Sequence, residues 1–307
     1  MYGYLQKISQ MKTVLITGVT GYIGGSIAVE LIKKEYKVIG LIRNNTDEVP
    51  IKKLGIVPVI GSINEVEKIE KIINDVDAII NTADADNAYF VATVLDKIKG
   101  TGKTFIHTSG SSILANRHKG EYSADIYHED IPIRASLEKL NRIAINKSVL
   151  SASLDNIRTI VIVPTMVYGK GLGLKEDSIQ IPKMIELAKS RKVATHIGKG
   201  LNVWSNVHIK DLVELYILAL ENAEAGTIFY AENGSSSYKE IALEINLNLN
   251  FGKKTSSISI DEAIELWGTE GAHFAFGGNS RVTSQKAKTL LRWQPKYTSV
   301  LEYIRSL

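Results

Sequence analysis

The 307-residue sequence contains no cysteine, so it can form no disulfide, supply no thiolate nucleophile and build no thiolate metal site. That fits a reducing, intracellular compartment. It also lacks any apolar run near the ~20 residues that a membrane-spanning helix needs. Its first ten residues, MYGYLQKISQ, show neither an apolar signal-peptide core nor an Arg-rich amphipathic pattern. Residues 1–11 therefore read as a short extension before the first strand, and a soluble, cytoplasmic protein is expected. Charge of one sign is not concentrated either. The formal net charge of +4 is spread along the chain, and Lys33-Lys34 and Lys52-Lys53 sit beside acidic or apolar residues, which argues against nucleic acid as a partner. The histidines have no i, i+4 pairing and no acidic neighbour pattern, so no metal site is expected. There is no internal repeat and no low-complexity segment.

What is present is an ordinary globular balance, 44% hydrophobic and 23% charged, on a chain long enough for one large α/β unit or a nucleotide domain with a smaller partner. From Lys12 onward, short β-branched runs alternate with helical stretches. Strands are expected at Thr13–Thr17, Lys37–Ile42, Val57–Ile60, Ala78–Asn81, Thr104–Thr108 and Thr159–Val163. Between them Ile23, Ile27 and Leu31, then Val66, Ile69 and Ile73, then Val91, Leu95 and Ile98 recur at helical spacing. Six strands with crossover helices define a doubly wound parallel sheet of the Rossmann type over residues 12–165. After Pro164 the connections lengthen and Gly169, Gly171 and Gly173 share a loop. A smaller α+β substrate lobe is expected over 166–307, with an apolar helix at Leu212–Leu220, a strand at Thr227–Ala231 and helices near Lys239–Leu247 and Asp261–Trp267.

The segment Thr17-Gly18-Val19-Thr20-Gly21-Tyr22-Ile23-Gly24 follows the first strand and opens the first helix. A pyrophosphate placed there meets free backbone N–H groups and the positive end of the helix dipole. Gly18 permits the tight turn, Gly21 lets phosphate approach, and Gly24 lets helix and strand pack closely. The spacing is G-x-x-G-x-x-G, and its position between strand and helix gives it meaning as a dinucleotide site. At the end of the second strand an acidic residue would bind the ribose 2′-OH of NAD. The sequence has Arg43 instead, which suits a 2′-phosphate and favours NADP(H) over NAD(H).

The motifs TGVTGYIG, FIHTSGSS, VPTMVYG, NVHIKDL and LLRWQPKYTSVLEYI together resemble the short-chain dehydrogenase/reductase superfamily in its extended, epimerase/dehydratase-like form. SIQIP, GKGLNVW and FYAENGSSSYKEIA are most similar to an atypical subgroup common in fungi. The resemblance implies the fold and further cofactor contacts at Thr82, Ala83 and Pro164. It also implies a Tyr-x-x-x-Lys pair on the helix before the sixth strand, in which the lysine lowers the tyrosine pKa and the tyrosine transfers a proton. The sequence has no Tyr-x-x-x-Lys anywhere. Counting back from Val149-Leu150 puts Arg142 and Asn146 at those positions, with Lys147 one residue late.

Candidate catalytic groups remain in the loops. Ser109 or Ser111, at the carboxyl end of the fifth strand, either hydrogen-bonds a substrate carbonyl or satisfies loop backbone. Tyr122, Tyr127 and Tyr168 are displaced candidates for the proton donor. His107 reads as a hydrogen-bonded core residue, and His208 as one that orders backbone under the second lobe. The stretch Asn202–Asn206 carries no cation, nor does His273–Gly278, so a nucleotide-sugar diphosphate lacks the charge-assisted donors it needs. Trp204, Trp267, Phe274 and Phe276 suit either an apolar pocket or a lobe core. The leading expectation is an NADP(H)-dependent oxidoreductase acting as monomer or homodimer on a small, mostly apolar carbonyl or enone. The alternative is a dinucleotide sensor resembling NmrA-like regulators, and a nucleotide-sugar epimerase or dehydratase ranks third.

Overall fold

In a computed structural model, which describes residues 12–134 and 136–307, strands and helices alternate through the first half. They are β1 (Thr13–Thr17), α1 (Tyr22–Lys33), β2 (Lys37–Ile42), α2 (Glu48–Lys53), β3 (Val57–Ile60), α3 (Val66–Asp75), β4 (Ala78–Asn81), α4 (Ala88–Ile98), β5 (Thr104–Thr108), α5 (Leu140–Ser151) and β6 (Arg158–Pro164). The expected extension at 1–11 lies outside the described residues. The chain continues through β7 (Met166–Tyr168), α6 (Gln180–Arg191), β8 (Thr195–Ile197), β9 (Val203–His208), α7 (Ile209–Asn222) and β10 (Thr227–Ala231). It ends with β11 (Ser235–Ser237), α8 (Tyr238–Asn248), β12 (Ser256–Ile258), α9 (Ile260–Glu270), α10 (Gln285–Leu290) and α11 (Val300–Arg305).

The main sheet has seven parallel strands in the order β10-β6-β5-β4-β1-β2-β3. Strand order runs outward in opposite directions from β1 and β4, so the carboxyl ends of these two strands border the crevice where doubly wound sheets bind ligands. Both faces are covered, as alternation along β1 requires. Val14 and Ile16 face a core shared with Ile27 and Leu31 of α1 and Leu212 and Tyr216 of α7. Leu15 faces the opposite core, with Phe90 and Val94 of α4 and Val149 of α5. Each such side chain, fully buried, contributes roughly 1.5–3 kcal/mol.

Two elements expected in the smaller lobe belong to the main sheet instead. Strand β10 pairs in parallel with β6, Phe229 opposite Ile162, and α7, which contains Leu212–Leu220, packs beside α1 on the sheet face. The physical reason is edge protection: without β10 the apolar strand β6 would present unpaired backbone groups to solvent. The smaller lobe retains the short sheets β11-β9-β7 and β12-β8 around a third core that includes Met166, Met184, Trp204, Ile241, Phe274 and Phe276.

Candidate active site

At the crevice, β1 and β4 are latched by side chains. The Thr17 hydroxyl donates to Asn81 Oδ1 at 2.7 Å, and the Thr82 hydroxyl donates to the Thr17 carbonyl at 2.7 Å. Gly18 turns with φ +74°, and a Cβ there would stand 2.8 Å from Ala83 Cα. A Cβ on Gly24 would collide with the Thr82 hydroxyl and the Gly18 carbonyl, so this glycine closes the helix onto the strand. Gly21 is different. It caps α1 at φ −83° with no side-chain bond and no acidic residue in the first turn, and its absent Cβ would meet only the Gly18 carbonyl, at 3.0 Å. The first N–H groups of α1 therefore have no intrahelical acceptor and no capping side chain.

These groups open on a cleft of about 330 Å³ that brings together Gly18, Thr20, Gly21, Arg43, Thr82 and Ala83. Arg43 has no ion pair or hydrogen bond among the described residues. A free guanidinium at the end of β2, open helix N–H groups and a glycine cradle are what a dinucleotide phosphate requires, and the residues present fit that group. The cleft also takes in Leu41, Gly61, Ser62, Ile63, Asn64 and Asp84, which sequence reasoning missed. Leu41 lies within β2, and the only sequence signal of the others is position just beyond the ends of β3 and β4. The remaining expected contacts do not line this cleft. Thr17 and Gly24 hold the turn as described, Ile23 follows the cap, and Pro164 ends β6. The Tyr22 hydroxyl donates to the Gly169 carbonyl at 2.8 Å and so pins the glycine-rich loop after β7 against α1, while the Ser26 hydroxyl accepts from Leu172 N at 3.0 Å.

Beyond the cleft, one face of α5 turns toward the carboxyl end of β5. Arg142 and Asn146, spaced i, i+4, share that face. Asn146 donates through Nδ2 to the Ser109 hydroxyl at 2.9 Å. Arg142 donates through Nε to Asp86 Oδ1 at 2.9 Å and through one terminal nitrogen to Asp86 Oδ2, while its other terminal nitrogen reaches Ser112 Oγ at 3.1 Å. This guanidinium bond holds the Asp86 carboxyl below the usual carboxylate range. Ser109 is buried and Ser111 more so, and Ser111 Oγ has no hydrogen-bond partner. The Ser111 carbonyl accepts from Ser280, which ties this turn to the second lobe.

The tyrosines are not gathered there. Tyr168 is buried, and its hydroxyl donates to the Tyr297 carbonyl at 3.2 Å; burial raises its pKa far above the ordinary tyrosine value. Tyr122 is exposed and accepts from Arg281 at 3.2 Å. Tyr127 packs against the α4–α5 core and bridges to Val282, and burial pushes its pKa upward. His107 is fully buried on β5. Its Nδ1 faces Asn81 Nδ2 at 3.2 Å, and because that amide is a donor, the neutral ring carries its proton on Nε2. His208 caps α7 by accepting from Lys210 N at 3.2 Å and stacks 3.9 Å from Tyr297. The aromatic residues weighed for a pocket belong to the lobe core: Trp204 and Phe274 are buried, and Phe276 stacks on Trp267 at 4.1 Å. Asn202 is buried and spends Nδ2 on the carbonyls of Phe276 and Gly278. Among the described residues no helix is long and apolar enough to cross a membrane.

A parallel sheet with this strand order, a glycine turn at its switch point and an open phosphate cradle define a dinucleotide-binding α/β protein. Residues 14–230 match the NAD dependent epimerase/dehydratase family, and the chain belongs to it. Over 310 residues it is 26% identical to the uncharacterized protein C2A9.02 of Schizosaccharomyces pombe, covering 95% of this chain and 98% of that one. It is 25% identical over 250 residues to a sterol-4-alpha-carboxylate 3-dehydrogenase, decarboxylating, of Dictyostelium discoideum, covering 74% and 73%. Among solved structures, the dTDP-glucose 4,6-dehydratase of Bacillus anthracis in complex with NAD superposes with a TM-score of 0.77 at 19% identity, covering 96% of this chain and 94% of that one. The extended short-chain dehydrogenase/reductase fold expected from the motifs is therefore the fold of this protein, with an NAD(P)-binding half and reductase-like relatives.

Proposed function

We propose that the protein is an NADP(H)-dependent oxidoreductase acting on a small, mostly apolar carbonyl or enone, with Ser109 as the carbonyl-polarising donor and Asn146 as its positioning residue. The bond from Asn146 Nδ2 to Ser109 Oγ carries this reading. An oxygen that accepts from Asn146 keeps its own proton to give, so the amide orients the serine as a donor. In place of a lysine that tunes a tyrosine, α5 thus supplies an amide that aims a hydroxyl.

A bound reduced nicotinamide supplies the hydride. Gly18, Thr20 and Gly21 would hold the pyrophosphate and Arg43 the 2′-phosphate, with Thr82 and Ala83 on the same cleft wall. Ser109 donates to the substrate oxygen as negative charge develops, with Ser111 Oγ as the second hydroxyl on the same turn. The proton that completes the alcohol comes from water, since the Tyr168 hydroxyl is committed to the Tyr297 carbonyl, Tyr122 stands exposed beside Arg281, and Arg142 is clamped by Asp86. The Dictyostelium relative, named as a dehydrogenase of a sterol carboxylate, supports redox chemistry on an apolar body. NADPH oxidation screened against quinones, enones, aldehydes and ketones, repeated with Ser109→Ala, tests the reading; turnover that ignores the change overturns it.

A second reading rests on the same helix. Both positions of the proton-transfer pair hold residues that cannot act as acids near neutral pH, and Arg142 is fixed in an ion pair. That suits a dinucleotide sensor without turnover. Tight NADPH binding with no oxidation of any carbonyl in the screen decides for the sensor.

A further inference from the structure

Three polar residues of the α5 segment, Lys139, Arg142 and Asn146, fall at i, i+3 and i+7 and so form one stripe. Asn146 reaches Ser109 and Arg142 reaches Ser112, while Lys139 begins the stripe one turn earlier. Its side chain is only 3% exposed, yet its partner Glu270 is 63% exposed. The ammonium lies 4.5 Å from the centre of the Phe274 ring, and Arg117, itself paired with Glu138, lies 5.2 Å from the same ring.

A buried ammonium is costly unless paired, and here the pairing comes from the other lobe on a carboxylate largely in water. That carboxylate follows a break in α9, where Gly268 takes φ +73° and ψ 165°. No atom lies within 4 Å of the space a Cβ there would fill, so the conformation is one only glycine adopts easily and nothing packs against it. Glu270, with most of its side chain in water, can leave Lys139 by rotating that side chain alone.

We infer that Lys139, beside Phe274, forms an anion subsite for the carboxylate of an apolar keto acid, and that the Glu270 carboxylate occupies it until such a ligand arrives. This rests on the carbonyl-reductase reading above and narrows its substrate class. Sequence reasoning found no cation in the second lobe because the cation comes from the first, from Lys139 immediately before α5.

The test uses NADPH-loaded full-length protein and two probes, 4-benzoylbutyrate and its methyl ester, which share the ketone and the aromatic body and differ in charge. Calorimetric titration is expected to give at least tenfold tighter binding for the acid. Lys139→Met should remove that preference while ester and NADPH affinities stay as they were. Glu270→Gln should tighten the acid about threefold or more and leave the ester unchanged. The last variant matters because loss of a ligand could reflect a damaged lobe, whereas a gain cannot. Equal affinities for acid and ester, no binding of either, or a Glu270→Gln variant that weakens the acid would each overturn the subsite. Cofactor titration and ketone turnover are read separately, so failure of the reductase reading shows as absent turnover even where acid and ester are discriminated.

Discussion

Asn146 donates to the Ser109 hydroxyl across the 2.9 Å between α5 and the end of β5, and that bond leaves the serine its own proton to donate. If Ser109 stabilises the developing charge on a carbonyl oxygen, Ser109→Ala removes one preorganised donor. Such a loss costs about 100-fold or more in kcat. Asn146→Ala keeps the hydroxyl and loses its aim, so a smaller loss of about tenfold, in kcat more than KM, is expected. Steady-state kinetics on any carbonyl found in the NADPH screen check both, and equal losses for the two variants would remove the distinction between donor and positioner.

Arg43 lines the cofactor cleft with no partner of its own. Its replacement by alanine should weaken NADPH by about 1.5–3 kcal/mol, the scale of a hydrogen bond to a charged group, and leave NADH nearly untouched. Fluorescence titration of both cofactors against wild type and variant measures the difference. A wild type that binds NADH as tightly as NADPH would contradict the assignment.

The glycines of the turn should separate binding from folding. A Cβ on Gly21 would meet only the Gly18 carbonyl, at 3.0 Å, so Gly21→Val should abolish dinucleotide binding in a protein that still folds, with a smaller loss of Tm than at Gly24. Gly24→Val places its side chain against the Thr82 hydroxyl and the Gly18 carbonyl, an overpacking that costs about 1–3 kcal/mol and should lower Tm as well. Circular dichroism melting beside cofactor titration tells the two apart.

The first half of the fold was legible because local signals agreed. Val14, Leu15 and Ile16 form a continuous apolar run that only a doubly covered strand can bury, and the glycine turn marks where α1 begins. Strand β10 was legible as a strand but not as a partner of β6, since pairing depends on an edge 60 or more residues away, not on its own sequence. The same holds at the site. Arg142 and Asn146 could be placed on α5 by counting, whereas their partners Asp86 and Ser109 stand 56 and 37 residues off. Lys139 carried no signal at all, because burial of a lysine depends on Phe274 and Glu270 arriving from the other lobe.

His107 makes the site sensitive to acid. Its Nδ1 accepts from Asn81 Nδ2, and Asn81 in turn accepts from Thr17 and from the backbone N–H of Ala83, so the ring supports both the β1–β4 latch and a wall of the cofactor cleft. Burial, reinforced by the Arg142 charge, lowers the His107 pKa from 6.5 to about 4. A histidine whose folded-state pKa is depressed adds stability above its unfolded value, and that contribution is lost as pH falls from about 6.5 toward 4. The full shift corresponds to roughly 3 kcal/mol. Protonation would also set an N–H against the Asn81 amide and disturb the segment at Ala83. Thermal unfolding followed from pH 7 to pH 4 should show Tm falling over that window, with NADPH affinity falling alongside it. His107→Gln, which stays neutral, should flatten the acid limb of both curves relative to their own values at pH 7. An acid limb in the variant as steep as in the wild type would place the responsible group elsewhere, with His208, also lowered to about 4 by burial, the next to replace.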